Sequence, residues 1–99
     1  MSSYAFSQEA VQDLDEICEY IAYRDSRSAS QFFDNLRQKC KLVANFPNMG
    51  KSYKQLSSGL RGFTVDDYLV LYYPNDDGIV IARVVSGYRD LKSLFDDLA

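Results

Sequence analysis

Histidine and tryptophan are absent from these 99 residues, cysteine and proline occur twice each, and no acidic residue lies between Asn35 and Val65. Each absence excludes something. Without histidine the chain lacks the side chain that most often acts as general base or metal ligand near neutral pH. A Ser-His-Asp or Cys-His nucleophile system is therefore ruled out. Cys18 and Cys40 lack zinc-site spacing, and each falls at an apolar helical position, the setting of a small buried hydrophobe. Cys18 lies shortly before the turn between two helices and Cys40 well after it, so a disulfide is not expected. Neither a metal nor a cofactor is expected. No run approaches the roughly 18 consecutive apolar residues of a membrane span, and MSSYAFSQEA has no signal-peptide pattern. The expectation is a cytoplasmic protein with no membrane partner.

The net charge of −3 argues against non-specific nucleic-acid binding, and its distribution says more than its sum. Glu9 to Asp25 holds six acidic residues and one base, Arg24. Asn35 to Val65 holds six bases (Arg37, Lys39, Lys41, Lys51, Lys54 and Arg61) and no acid. Such a segment either solvates one face or makes a positive surface for an acidic partner.

Three runs rich in Val, Ile and Tyr lie between Gly59 and Leu91. β-branched and aromatic residues suit a pleated, half-buried surface, so these runs predict a small antiparallel sheet. In the middle run, alternation puts Leu69, Leu71 and Tyr73 on one face and Tyr68, Val70 and Tyr72 on the other. Pro74 through Gly78 reads as a five-residue polar hairpin loop. In the last run, alternation puts Ile79, Ile81, Arg83 and Val85 on one face.

Upstream, Tyr4 to Phe6 is a short strand candidate, and Ser7 caps a helix with Glu9 in its first turn. Ala10, Val11, Leu14, Ile17, Cys18 and Ile21 form its apolar stripe, with Asp13, Asp15, Glu16 and Glu19 expected to face water. A second stripe runs through Ala29, Phe32, Phe33, Leu36, Cys40, Val43 and Ala44. Asp25 or Ser26 caps that helix, and Pro47 ends it near Phe46. Leu14, Ile17, Phe33 and Leu36 are expected at the contact with the sheet. Residues 47–50 read as a turn and the stretch through Ser58 as a loop. After Gly87, Asp90 caps a short helix with Leu91, Leu94, Phe95 and Leu98 on its apolar face. The fold class is α+β in a single domain, residues 1–99. It has an N-terminal strand and an antiparallel helical hairpin packed on a small, mainly antiparallel sheet, then a short C-terminal helix.

Four segments in this order and spacing resemble the RelE/ParE superfamily of bacterial toxins, and within it the ParE branch. They are Phe46-Pro47-Asn48-Met49-Gly50, Gly59-Leu60-Arg61-Gly62-Phe63, Tyr68-Leu69-Val70-Leu71-Tyr72-Tyr73, and Arg83-Val84-Val85-Ser86-Gly87-Tyr88-Arg89-Asp90. Leu14-Asp15-Glu16-Ile17 and Tyr20-Ile21-Ala22 fit the same style. The resemblance implies the toxin of a type II toxin–antitoxin pair, neutralised by a small ParD-like antitoxin and acting on DNA gyrase without being an enzyme. It implies no direct sequence-specific nucleic-acid binding by the toxin alone. The RelE-like members instead cut messenger RNA on the ribosome. Where those nucleases place cations or proton-transfer groups, this chain offers Ser57 and Gly59, Leu69, Ser86 and Phe95. Arg89 alone matches. RNA cleavage needs several cations and an acid/base pair around the scissile phosphate, so the ribosome-dependent endoribonuclease is the rival reading. A non-toxic antitoxin-binding remnant is a third.

Arg61, Arg83, Tyr88 and Arg89 are the candidate partner-binding residues. Arg61 could pair with Asp66 or Asp67, or meet a partner. Arg89 could pair with Asp90 or bond helix-end carbonyls. Arg83 is a cation inside an apolar strand, and burying it unpaired would be very costly. It is expected to reach the sheet's edge or open face near Arg61 and Arg89, forming a positive site for an acidic group. Tyr68, Tyr72 and Tyr88 either stack on a partner or belong to the core with hydroxyls at its edge.

Overall fold

The computed structural model of the protein describes residues 2–87. The expected C-terminal helix, with Tyr88 and Arg89 before it, lies outside the described residues. The element order is β1 (Ser3–Phe6), α1 (Gln8–Arg24), α2 (Ser26–Asn45), β2 (Lys51–Ser52), β3 (Arg61–Val65), β4 (Tyr68–Asn75) and β5 (Gly78–Ser86). The sheet order is β1-β5-β4-β3-β2, with β1 parallel to β5 and every other pair antiparallel. This is the expected α+β architecture. β2, only two residues long, falls inside the stretch read as loop; so short a strand leaves no alternation to detect.

Local chemistry sets the helix ends. The Ser7 hydroxyl accepts from the Ala10 N–H at 3.1 Å and donates to the Ala82 carbonyl at 2.8 Å, so one side chain caps α1 and ties it to β5. Asp25 alone separates the helices: its N–H closes α1 on the Ile21 carbonyl, and its carboxylate accepts from the Arg27 N–H and the Ser28 hydroxyl. Phe46 is the C-cap of α2, directly before Pro47.

The helical hairpin covers one sheet face. Ala10, Leu14, Phe32, Leu36, Cys40, Val43 and Ala44 pack there on Phe63, Val65, Val70, Tyr72, Ile79, Ile81 and Val84. Ile17, Cys18 and Ile21 pack against this cluster while only partly buried. Three expected members do not join, Ala29 being the least consequential. Phe33 is 40% exposed while its neighbour Phe32 is 2% exposed, and Val11 is also exposed. About 100° of helical rotation separates successive residues, and the stripe Phe32–Leu36–Cys40–Val43 leaves Phe33 on its shoulder. Both cysteines are free thiols. Burial pushes the Cys40 thiol up to about 12, and raises Cys18 with a smaller push from Asp15.

β4 divides its side chains as the alternation predicts. Tyr68, Val70 and Tyr72 face the helices, while Leu69, Leu71 and Tyr73 join Leu60, Val85, Tyr53 and Leu56 on the other face. The turn after β4 differs from the expected loop. Pro74 pairs with Ile79 and Asn75 with Gly78, leaving a two-residue turn at Asp76 and Asp77. Proline is tolerated there because the β3 ladder ends at Tyr72, so beyond it β4 has a partner on one side only. Gly78 adopts φ +142°, and a Cβ there would collide with the Ser3 backbone of β1. Alternation also fails along β5. Tyr72 pairs with Ile81 but Leu71 with Arg83, so Ala82 is an extra residue. This bulge sends Ile79, Ile81 and Val84 to the helix side and Val85 to the other.

Candidate functional site

The bulge decides where Arg83 goes. β1 pairs with β5 only as far as Ile81, so the outer edge of β5 beyond it is open to α1. Asp13, in the second turn of α1, fills that edge. Arg83 Nε and Nη2 donate to the two Asp13 carboxylate oxygens at 2.7 and 2.9 Å, and the Val84 N–H donates to one of them at 3.0 Å. A carboxylate here stands in for a neighbouring strand and neutralises the arginine in the same contact. The Asp13 hydrogen bond raises the Arg83 pKa, desolvation opposes it, and Asp13, Glu9 and Glu16 add favourable charge. The expectation that Asp13 faces water is therefore overturned, since the two side chains are 12% and 14% exposed. Sequence offered no sign of this contact, because the partners lie 70 residues apart.

Arg61 works elsewhere. Its Nε donates to the Gly50 carbonyl at 3.0 Å and its Nη2 to the Asn48 carbonyl at 2.8 Å, instead of pairing with Asp66 or Asp67. The buried Tyr72 hydroxyl donates to the Pro47 carbonyl at 2.7 Å and accepts the Gly50 N–H at 3.1 Å. The turn after α2 is thus held by one guanidinium and one phenol. A Cβ at Gly50 would lie 2.5 Å from that phenol oxygen, so glycine is required there for space. In register, Arg61 lies opposite Tyr72, and Arg83 lies opposite Leu71. Adjacent residues of β4 point to opposite faces, so the structure does not bring Arg61 and Arg83 into one positive site. Arg89 and Tyr88 lie outside the described residues.

The tyrosines divide by depth. Tyr72 is fully buried, and Tyr68 packs edge-on against Phe32 with ring centroids 5.2 Å apart. Among the described residues, Tyr20 and Tyr23 on α1 are the exposed tyrosines, at 58% and 93%. Ser57 and Leu69, which the resemblance sets against nuclease cations, are otherwise engaged: Ser57 bonds the Tyr73 hydroxyl at 2.6 Å, and Leu69 is buried on the second face.

The model of the ParE toxin family, described as the ParE toxin of the type II toxin-antitoxin system parDE, matches residues 4–91. The chain belongs to the ParE toxin family. Among curated relatives, Toxin ParE3 of Caulobacter vibrioides is 29% identical over 80 residues, covering 80% of each chain. A solved chain from the chromosomal ParDE TA system of P. aeruginosa superposes with a TM-score of 0.69, covering 87% of this chain and 96% of that one. At 20% identity, that likeness speaks for the fold. The protein is thus a ParE-family toxin of a type II toxin–antitoxin system. Among the described residues, no helix of this ParE toxin is long and apolar enough to cross a membrane.

Proposed function

We propose that this ParE toxin inhibits DNA gyrase in the cytoplasm, acts without catalysing a reaction itself, and is neutralised by a ParD-like antitoxin. The family match across residues 4–91 carries this reading. The chemistry of the sheet supports it. RNA cleavage would need several cations and an acid/base pair, whereas histidine is absent and Arg83 is bound by Asp13; Arg61 gives only two of its N–H donors to the Asn48 and Gly50 carbonyls. Arg61 enters the proposal as a partner contact, because two of its five N–H donors are used in those bonds and it is only half-buried. Arg83 enters as the residue that locks β5 to α1. Tyr88 and Arg89 enter on the family likeness.

The test is a supercoiling and cleavage assay with purified gyrase, run beside a translation reaction. Purified toxin is expected to block supercoiling or accumulate cleaved plasmid while leaving ribosome-bound message intact. Codon-positioned cuts with gyrase unaffected would replace this reading with the endoribonuclease. No effect in either assay would leave the antitoxin-binding remnant.

A further inference from the structure

β1 is the outermost strand on its side of the sheet, and β5 pairs with one of its edges. The Ser3 N–H donates to the Asp77 carbonyl at 2.7 Å and the Ser7 N–H to the Ile81 carbonyl at 2.9 Å. Peptide directions alternate along a strand. Residues 3, 5 and 7 therefore face β5, and the N–H and C=O groups of Tyr4 and Phe6 point away from it. Among the described residues no strand takes them up. Such an edge is a template for another strand.

What lies beside the edge selects the occupant. Tyr4 and the α2 side chains of Asp34, Arg37, Gln38 and Lys41 line an open hollow of about 220 Å³. Arg37 and Lys41 stand four residues apart, on one helix face, and both are exposed. Together with Asp34 they leave one net positive charge on that helix face, while Asp77 and Glu9 lie at the two ends of β1.

Three occupants compete. A second copy pairing β1 with β1, about a two-fold axis normal to the sheet, would bring together two faces that each carry a net positive charge from Asp34, Arg37 and Lys41. A docked helix would leave the outward backbone groups of Tyr4 and Phe6 unmet. An extended segment meets both demands. Its backbone continues the ladder, and every second side chain falls on the α2 side, within reach of Arg37 and Lys41. We propose that the outer edge of β1, together with the Arg37–Lys41 face of α2, is a strand-addition site for an extended acidic segment of a partner protein. On the function proposed above that partner is the antitoxin; the site itself does not depend on gyrase being the target.

The test uses the full chain, 15N-labelled, and the capped peptide Ac-TEVEVEV-NH2 as probe. Binding is expected to slow amide exchange at Tyr4 and Phe6 by about tenfold or more and to weaken with salt. A peptide with lysine for glutamate, and one with alternate backbone nitrogens methylated, should each bind about tenfold or more weakly. Arg37→Glu with Lys41→Glu, at exposed positions, should transfer the preference to the lysine peptide without unfolding the chain. Unchanged exchange at Tyr4 and Phe6 would overturn the proposal, as would equal binding of the methylated peptide or an unchanged preference in the charge-reversed variant. It also fails if the two amides are already protected in the free protein, whether by self-association or by residues 88–99. Failure here with gyrase still inhibited would leave the proposed function standing.

Discussion

The two faces of the sheet share β4 yet are covered in different ways. On one, two helices lay a continuous stripe from Ala10 to Ala44 over Val70, Tyr72 and their neighbours. On the other, Leu60, Leu69, Leu71 and Val85 lie under Tyr53, Leu56 and Tyr73, brought there mainly by the segment between β2 and β3. That segment is held by a few polar contacts: Tyr53 N–H to the Leu60 carbonyl at 2.8 Å, Leu60 N–H to the Ser57 carbonyl at 3.1 Å, and the Ser57–Tyr73 hydroxyl pair. Leu60 and Leu36 are equally buried, at 0% exposure. Equal burial does not mean equal contribution. A cavity under two rigid helices persists, whereas a short loop can settle into the space a lost side chain leaves.

The largest effect expected from that difference is at Phe32. Phe32→Ala should cost about 3–5 kcal/mol in chemical denaturation, because it empties the helix-side core against Tyr68. Leu60→Ala on the loop side should cost about 2–3 kcal/mol, the lower part of the usual range, because its cover can collapse. Phe33→Ala should cost under about 1 kcal/mol, as for an exposed position. If Leu60→Ala matched Phe32→Ala, the loop would be as rigid a cover as the helices.

Arg83 lies at the edge between the two faces and tests whether polar contacts hold the helix side as well. Arg83→Met keeps the stem but leaves the Asp13 carboxylate, 12% exposed, with the Val84 N–H as its remaining described partner. A loss of about 1–3 kcal/mol is expected. Asp13→Leu combined with Arg83→Met should recover part of it, since removing both charges leaves none unpaired. Near-native stability of Arg83→Met alone would show that the pair is dispensable. The notion of Arg83 as a free cation would then return.

The smallest effect is read at the thiols. Alkylation requires the thiolate, so iodoacetamide at mildly alkaline pH should label Cys18 well before Cys40, which is fully buried between the helices and the sheet. The linkage has a definite sign. The Cys40 pKa is about 12 when folded against an ordinary value of 9.0, so its contribution is complete below about pH 9 and is lost as pH rises toward 12. Cys40→Ala should remove that part of the alkaline slope. Equal labelling rates in the native protein would mean that the helix side opens more readily than its packing implies.

Sequence alone determined β1, both helices, the three long strands β3 to β5, their order, the Ser7 cap and the faces of β4, whereas β2 reads there as loop. Ser7, Asp25 and Pro47 act on backbone groups within a few residues, and alternation in an uninterrupted strand needs nothing from afar. The family likeness was equally readable, because it rests on ordered segments. Tertiary structure decided the rest. The extra residue at Ala82 reverses the face of everything after it, and nothing in Ile81-Ala82-Arg83 marks a bulge. The choice of Phe32 over Phe33 depends on how far α2 rolls against the sheet. Arg61 and Arg83 read alike as cations in strands, yet one holds carbonyls of the turn after α2 and the other a carboxylate on α1. An arginine's stem is long and its partners come from other elements, so its role is set only when those elements are packed.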